Sequence, residues 1–177
     1  MSWKTLCQMD LHGKRVLIRV DLNVPIVDGK ITDATRIKKI VPTVKEIIKK
    51  GGTPILLAHM GRPGGKRHPN LSLSQLQEEL QKYFKSKVIF ASDCIGPSAK
   101  TVLQIVKKGE IILLENTRFY PEEEENDPKF AASLAALADL FCNDAFSADF
   151  NTTSSHILFL WFVKRRKGKT LEGVTDG

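Results

Sequence analysis

Several polar residues in this sequence are grouped in a way that suggests anion chemistry. They are Asp21 and Asn23, His59 and Arg62, Asn116 and Arg118, and Asn143 and Asp144. Each group follows a short apolar run. Arginine presents a planar fork of donors suited to carboxylate or phosphate. Arg36, near the start of a predicted helix, supplies a third such fork. His59 either donates to an anionic oxygen or makes a structural hydrogen bond, and its residue type serves both. Asp-x-Asn is equally a turn or helix-cap pattern, and Pro25 just after it favours a turn. In a strand, the spacing of Asp21 and Asn23 would place both on one face.

These groups can converge only if the elements between them form a parallel sheet. Apolar runs at Arg15–Val20, Thr53–Ala58, Lys87–Phe90, Glu110–Leu114 and Asp139–Cys142 read as buried strands. Amphipathic stretches alternate with them. Ile37, Ile40, Val41, Val44, Ile47 and Ile48 recur at helical spacing opposite a row of lysines, and Gly51-Gly52 ends the pattern. Pro42 inside it predicts a kink or a second start. Asp28-Gly29 marks a tight hairpin, Thr32 or Asp33 a cap, and Ser72-x-x-Gln75 a capping box. Pro97 and Asp127-Pro128 mark two further helix starts. Short links between alternating strands and helices predict an α/β fold, a doubly wound parallel sheet with helices on both faces. In such sheets ligands bind at the carboxyl ends of the strands, where all the polar groups fall.

Composition narrows the function. A length of 177 residues suits one domain, and a net charge of +7 suits a small anionic substrate as well as nucleic acid. Nucleic-acid binding is disfavoured because no basic patch with interleaved aromatics precedes Lys164. Neither a Gly-x-x-x-x-Gly-Lys-Ser/Thr loop nor a Gly-x-Gly-x-x-Gly fingerprint occurs. The acidic run Glu122–Glu125 reads as a solvated loop, and no metal-ligand spacing accompanies it. Cys7, Cys94 and Cys142 are odd in number and widely spaced, which fits reduced thiols. With no signal sequence and no apolar run long enough to span a bilayer, a cytoplasmic protein is expected.

Six motifs carry a resemblance to one family. They are Arg19-Val20-Asp21-Leu22-Asn23-Val24-Pro25, Thr35-Arg36-Ile37, His59-Met60-Gly61-Arg62-Pro63, Asp93-Cys94-Ile95-Gly96-Pro97, Leu113-Leu114-Glu115-Asn116-Thr117-Arg118-Phe119 and Asn143-Asp144-Ala145-Phe146. In order and spacing they resemble the N-terminal domain of phosphoglycerate kinase, over residues 5–148. The resemblance implies a Rossmann-like three-layer sandwich. It implies phosphoryl transfer between 1,3-bisphosphoglycerate and ADP in glycolysis, giving 3-phosphoglycerate and ATP. Asp21 and Asn23 would meet the substrate's hydroxyl and carboxylate region. His59, Arg62 and Arg118 would grip its phosphate end, and Arg36, the catalytic residue, would stabilise the phosphoryl group in flight. Mg-ATP or Mg-ADP would bind a C-terminal nucleotide domain, expected to be absent here, so neither a metal nor a nucleotide site is expected in this chain. A monomer with no membrane partner is expected as well.

After Ala148 the pattern departs. The family continues with an Ala-His-Arg-Ala-His-like stretch, whereas this chain reads Asp149-Phe150-Asn151-Thr152-Thr153 and lacks that arginine. Residues 1–148 are expected to form the phosphoglycerate-binding domain and 149–177 an aberrant tail that matches nothing in the family. The chain alone is expected to bind phosphoglycerate weakly and to turn nothing over. The rival reading is a non-catalytic interaction protein that uses the tail, with its aromatic run Ile157–Val163 and basic cluster Lys164–Lys167.

Overall fold

Alternation of fully apolar positions along each strand decides the layering. The computed structural model describes residues 6–145 and the two-residue strand Val174–Thr175. The strands are β1 (Arg15–Arg19), β2 (Ile26–Val27), β3 (Lys30–Ile31), β4 (Thr53–Leu57), β5 (Val88–Ala91), β6 (Ile111–Leu114), β7 (Leu140–Asn143) and β8 (Val174–Thr175). The helices are α1 (Thr35–Lys49), α2 (Gln77–Phe84), α3 (Gly96–Ile105), α4 (Pro121–Glu124) and α5 (Pro128–Ala135). The main sheet is parallel in the order β5-β6-β4-β1-β7-β8. It is a doubly wound α/β sheet, and its five longer strands match the sequence pattern to within one residue at most ends. The short β8 beside β7 had no forerunner in that pattern.

Two hydrophobic cores lie on opposite faces of the sheet. Val16 and Ile18 of β1, with Leu56, Ile111, Leu113 and Cys142, meet Ile37, Ile40, Val44 and Ile47 of α1 and Leu80 and Phe84 of α2. Leu17, Ile55, Leu57, Ile112, Leu114 and Phe141 meet Val102 of α3 and Phe130, Leu134 and Ala135 of α5. Strand residues of opposite parity thus serve opposite helical layers. All of these side chains are at most 7% exposed, so β1 and β4 are fixed from both sides.

The turn and stop signals act as their chemistry requires, while Pro42 and Gln75 do not follow the pattern. Asp28 and Gly29 both take positive φ (50° and 72°), as a two-residue hairpin between β2 and β3 demands. At the start of α1, Asp33 Oδ1 accepts from Thr35 N at 2.8 Å and from Thr35 Oγ at 2.6 Å. Helix α1 ends in the bond pair of a Schellman cap, Gly52 N to Ile47 O and Gly51 N to Ile48 O, with Gly51 at φ +78°. Pro42 neither breaks α1 nor restarts it, since one helix runs from Thr35 to Lys49. Pro42 and Lys38 are both exposed, so water can serve the Lys38 carbonyl that lacks its usual donor. Ser72 caps a 3-10 turn (Leu73–Leu76) that leads into α2, and accepts from Ser74 N. Gln75 does not complete the capping box; its Nε2 donates to Ser72 O at 2.7 Å instead. No helix among the described residues is long and apolar enough to cross a membrane.

Candidate functional site

The carboxyl ends of β1, β4, β6 and β7 gather the polar residues on one sheet edge. Asp21 and Asn23 do not sit on a strand, because β1 stops at Arg19. They form a turn in which Asn23 N donates to Asp21 Oδ1 at 3.0 Å. The reason is chemical: a carboxylate two residues ahead offers the backbone a local partner that competes with the sheet ladder. Asp21 Oδ2 also takes the Nη1 donor of Arg36, which α1 presents from its first turn. Asn23 is exposed, and its Oδ1 accepts from Gly61 N at 3.2 Å, joining the β1 loop to the β4 loop.

The β4 loop carries His59, Gly61 and Arg62. Gly61 has φ +62°, a conformation that favours glycine, and a Cβ there would lie 2.8 Å from Leu71 Cδ2 and make that side chain shift. Its carbonyl accepts from Arg118 Nη1 at 3.3 Å. Arg118 comes from the 3-10 turn Thr117–Phe119 after β6, and its Nε lies 3.7 Å from Glu124 Oε1. Arg62 is exposed and lines an open cleft of about 390 Å³ with His68, Pro69, Asn70 and Leu71. Arg36 and Arg118, with side chains 46% and 16% exposed, remain accessible on the same edge.

Asn116 belongs to the architecture. It is fully buried, and its Nδ2 donates to Met60 O at 2.8 Å and Leu71 O at 2.9 Å. It thereby sets the path of the loop that carries Arg62. Asn143 accepts from Ala145 N at 3.2 Å, a turn role. Backbone donors at two helix starts on this edge are taken by the chain itself, Thr35 N by Asp33 and Phe130 N by Asp127.

Two residues that sequence reasoning did not single out lie beneath the site. Arg19, at the end of β1, is 2% exposed, and Glu123 is 1% exposed. Arg19 Nη2 lies 2.7 Å from His59 Nδ1 and 3.4 Å from Glu123 Oε1. The acidic run is therefore not a solvated loop. It forms α4, and one of its carboxylates turns inward to a buried cation. A charged residue ending an apolar strand was a readable signal for Arg19. Nothing in Glu122–Glu125 distinguishes Glu123 from its neighbours, since its partner lies 104 residues away. Burial lowers the Arg19 pKa and Glu123 opposes that shift, while a guanidinium keeps its proton throughout ordinary pH. Burial first, then the charges of Arg19 and Arg118, depress His59 to about 3, against the raising effect of Asp21. His59 is therefore neutral near pH 7.

Fold and site together define a doubly wound α/β domain whose strand ends form an arginine-rich edge fit for an anionic ligand. A family model described as phosphoglycerate kinase matches residues 6–174. The phosphoglycerate kinase of Ruegeria pomeroyi is 57% identical over 155 residues, covering 88% of this chain and 39% of that protein. That of Cereibacter sphaeroides is 55% identical over 156 residues, with the same coverage of 88% and 39%. Among solved structures, phosphoglycerate kinase from Coxiella burnetii superposes with a TM-score of 0.79 at 30% identity, covering 98% of this chain and 41% of that one. The Pyrococcus horikoshii enzyme gives 0.80 at 26% identity, covering 97% and 42%. The chain belongs to the phosphoglycerate kinase family, and it spans about 39% of the length of these curated relatives.

Proposed function

We propose that this chain is the phosphoglycerate-binding part of a phosphoglycerate kinase, with residues 1–148 forming that domain. One observation carries the reading: Arg36, Arg62, Arg118 and a neutral His59 share one sheet edge in a chain that the family model matches over residues 6–174. The ligand is 3-phosphoglycerate or 1,3-bisphosphoglycerate. Asp21 and Asn23 meet its hydroxyl and carboxylate region, and His59, Arg62 and Arg118 its phosphate end. In transfer, the bond from the acyl oxygen to phosphorus breaks and a bond from phosphorus to the ADP β-phosphate oxygen forms. Arg36 stabilises the charge on the moving group; its exchangeable pairing with Asp21 lets it do so.

The family's nucleotide co-substrate travels with Mg²⁺. Among the described residues no group of three or more His, Cys, Asp or Glu could hold a metal ion, and on this reading Mg²⁺ enters with the nucleotide. On this reading, transfer needs a nucleotide-binding partner domain. The same reading places the protein in the cytoplasm as a monomer, without nucleic acid or membrane as partner. The aromatic and basic stretches of the tail, on which the interaction-protein reading rested, lie outside the described residues. The family match runs on to residue 174, and Val174–Thr175 pairs with β7.

The test is a calorimetric titration of the 177-residue chain with 3-phosphoglycerate. Saturable binding that Arg118→Ala weakens supports the reading. A folded chain that binds no 3-phosphoglycerate overturns it.

A further inference from the structure

A buried ion pair beneath a binding edge calls for a reason other than stability. Apolar residues of similar volume usually serve a core as well or better. Among the described residues, Arg19 Nε and Nη1 and Glu123 Oε2 find no hydrogen-bond partner, so the pair is not optimised for its own sake. Its one short contact is Arg19 Nη2 to His59 Nδ1, at 2.7 Å. A guanidinium can only donate. His59 Nδ1 must then be the acceptor, which leaves the imidazole proton on Nε2.

We propose that Arg19, anchored by Glu123, is a positioning residue for His59: its donation to Nδ1 holds His59 as a neutral imidazole with Nε2–H as its donor to an anionic ligand oxygen. This rests on the reading above for the identity of that ligand, phosphoglycerate. The charged groups around the ring agree with it. Arg19, Arg118 and Arg36 all oppose a second proton, and Asp21 alone favours one. A neutral donor suits such an edge. The arginines supply the positive charge, while His59 supplies direction and takes up no proton when the ligand binds.

The experiment is a long-range ¹H–¹⁵N spectrum of the imidazole nitrogens in the ligand-free chain between pH 8 and pH 4, with His59 assigned through loss of its signals in His59→Gln. The expected result is a single Nε2–H tautomer throughout, with a coupling across the hydrogen bond from Arg19 Nη2 to His59 Nδ1. In the double variant Arg19→Met/Glu123→Gln both buried charges leave together, which avoids stranding either one. There His59 should lose its single tautomer, and its titration midpoint should rise by about one pH unit or more. An unchanged tautomer and midpoint in the folded double variant would overturn the proposal. So would an Nδ1–H form, or absence of the coupling, in the unsubstituted chain, a result that needs no variant to fold. Because no ligand is present, failure here leaves phosphoglycerate binding standing, and failure to bind phosphoglycerate leaves the tautomer result standing.

Discussion

Arg19 and Arg36 sit on the same edge, each paired with one carboxylate, yet they inhabit different media. The side chains of Arg19 and Glu123 are 3% and 1% exposed, whereas that of Arg36 is 46% exposed above a nearly buried Asp21. In the buried pair neither charge has water as an alternative, so removing one leaves the other stranded. In the outer pair Arg36 reaches solvent, and Asp21 keeps the Asn23 N–H as a donor when Arg36 turns to water or a ligand. On the proposed reading, the inner arginine acts as scaffold and the outer one as a ligand group. This division extends to the other site residues: Asn116 lies with the inner set, and Arg62 and Arg118 with the outer.

Breaking the inner pair should have the largest effect. Arg19→Met alone strands the Glu123 carboxylate and should cost roughly 3–5 kcal/mol in urea unfolding. The double variant with Glu123→Gln should recover most of that loss, and a single variant as stable as the parent would show that the pair is not coupled. Arg118→Ala should weaken 3-phosphoglycerate binding by about 1.5–3 kcal/mol in calorimetry, the scale of a charge-assisted hydrogen bond. Asn116→Ala removes the donor to Met60 O and Leu71 O and should cost about 1–3 kcal/mol in thermal unfolding.

A smaller effect follows from His59. Its folded pKa of about 3 lies below the ordinary value of 6.5. The unfolded chain takes up a proton below pH 6.5 that the folded chain refuses until about pH 3, so this contribution to stability falls as pH drops through that window. Discounted for the ring's partial exposure, the loss between pH 7 and pH 5 should be about 1 kcal/mol. Comparing urea midpoints with His59→Gln at both pH values isolates it. Smallest of all, Arg36→Ala should change stability by less than about 1 kcal/mol while still weakening ligand binding. A large loss of stability from Arg36→Ala would erase the distinction between inner and outer arginines.

Much of this edge was legible in the sequence because a parallel sheet converts separate strand ends into neighbours. Each Val/Ile/Leu run announced a strand, and the polar residues that followed were bound to converge. Periodicity also placed the buried face of α1 at Ile37, Ile40, Val44 and Ile47. What stayed hidden depended on contacts distant in sequence. Glu123 turned inward because Arg19, 104 residues earlier, ends a buried strand beneath it. Asn116 looked like a ligand because its type suits one, and only the positions of the Met60 and Leu71 carbonyls make it a brace.

The most direct test of the account is an amide chemical-shift titration of the ligand-free chain with 3-phosphoglycerate. The account predicts saturable shifts confined to the carboxyl edge of the sheet, at Asp21, Asn23, Arg36, His59, Gly61, Arg62 and Arg118, with the amides at the opposite strand ends unmoved. A folded chain with no saturable shifts, or with shifts centred on the amino ends of the strands, would contradict it.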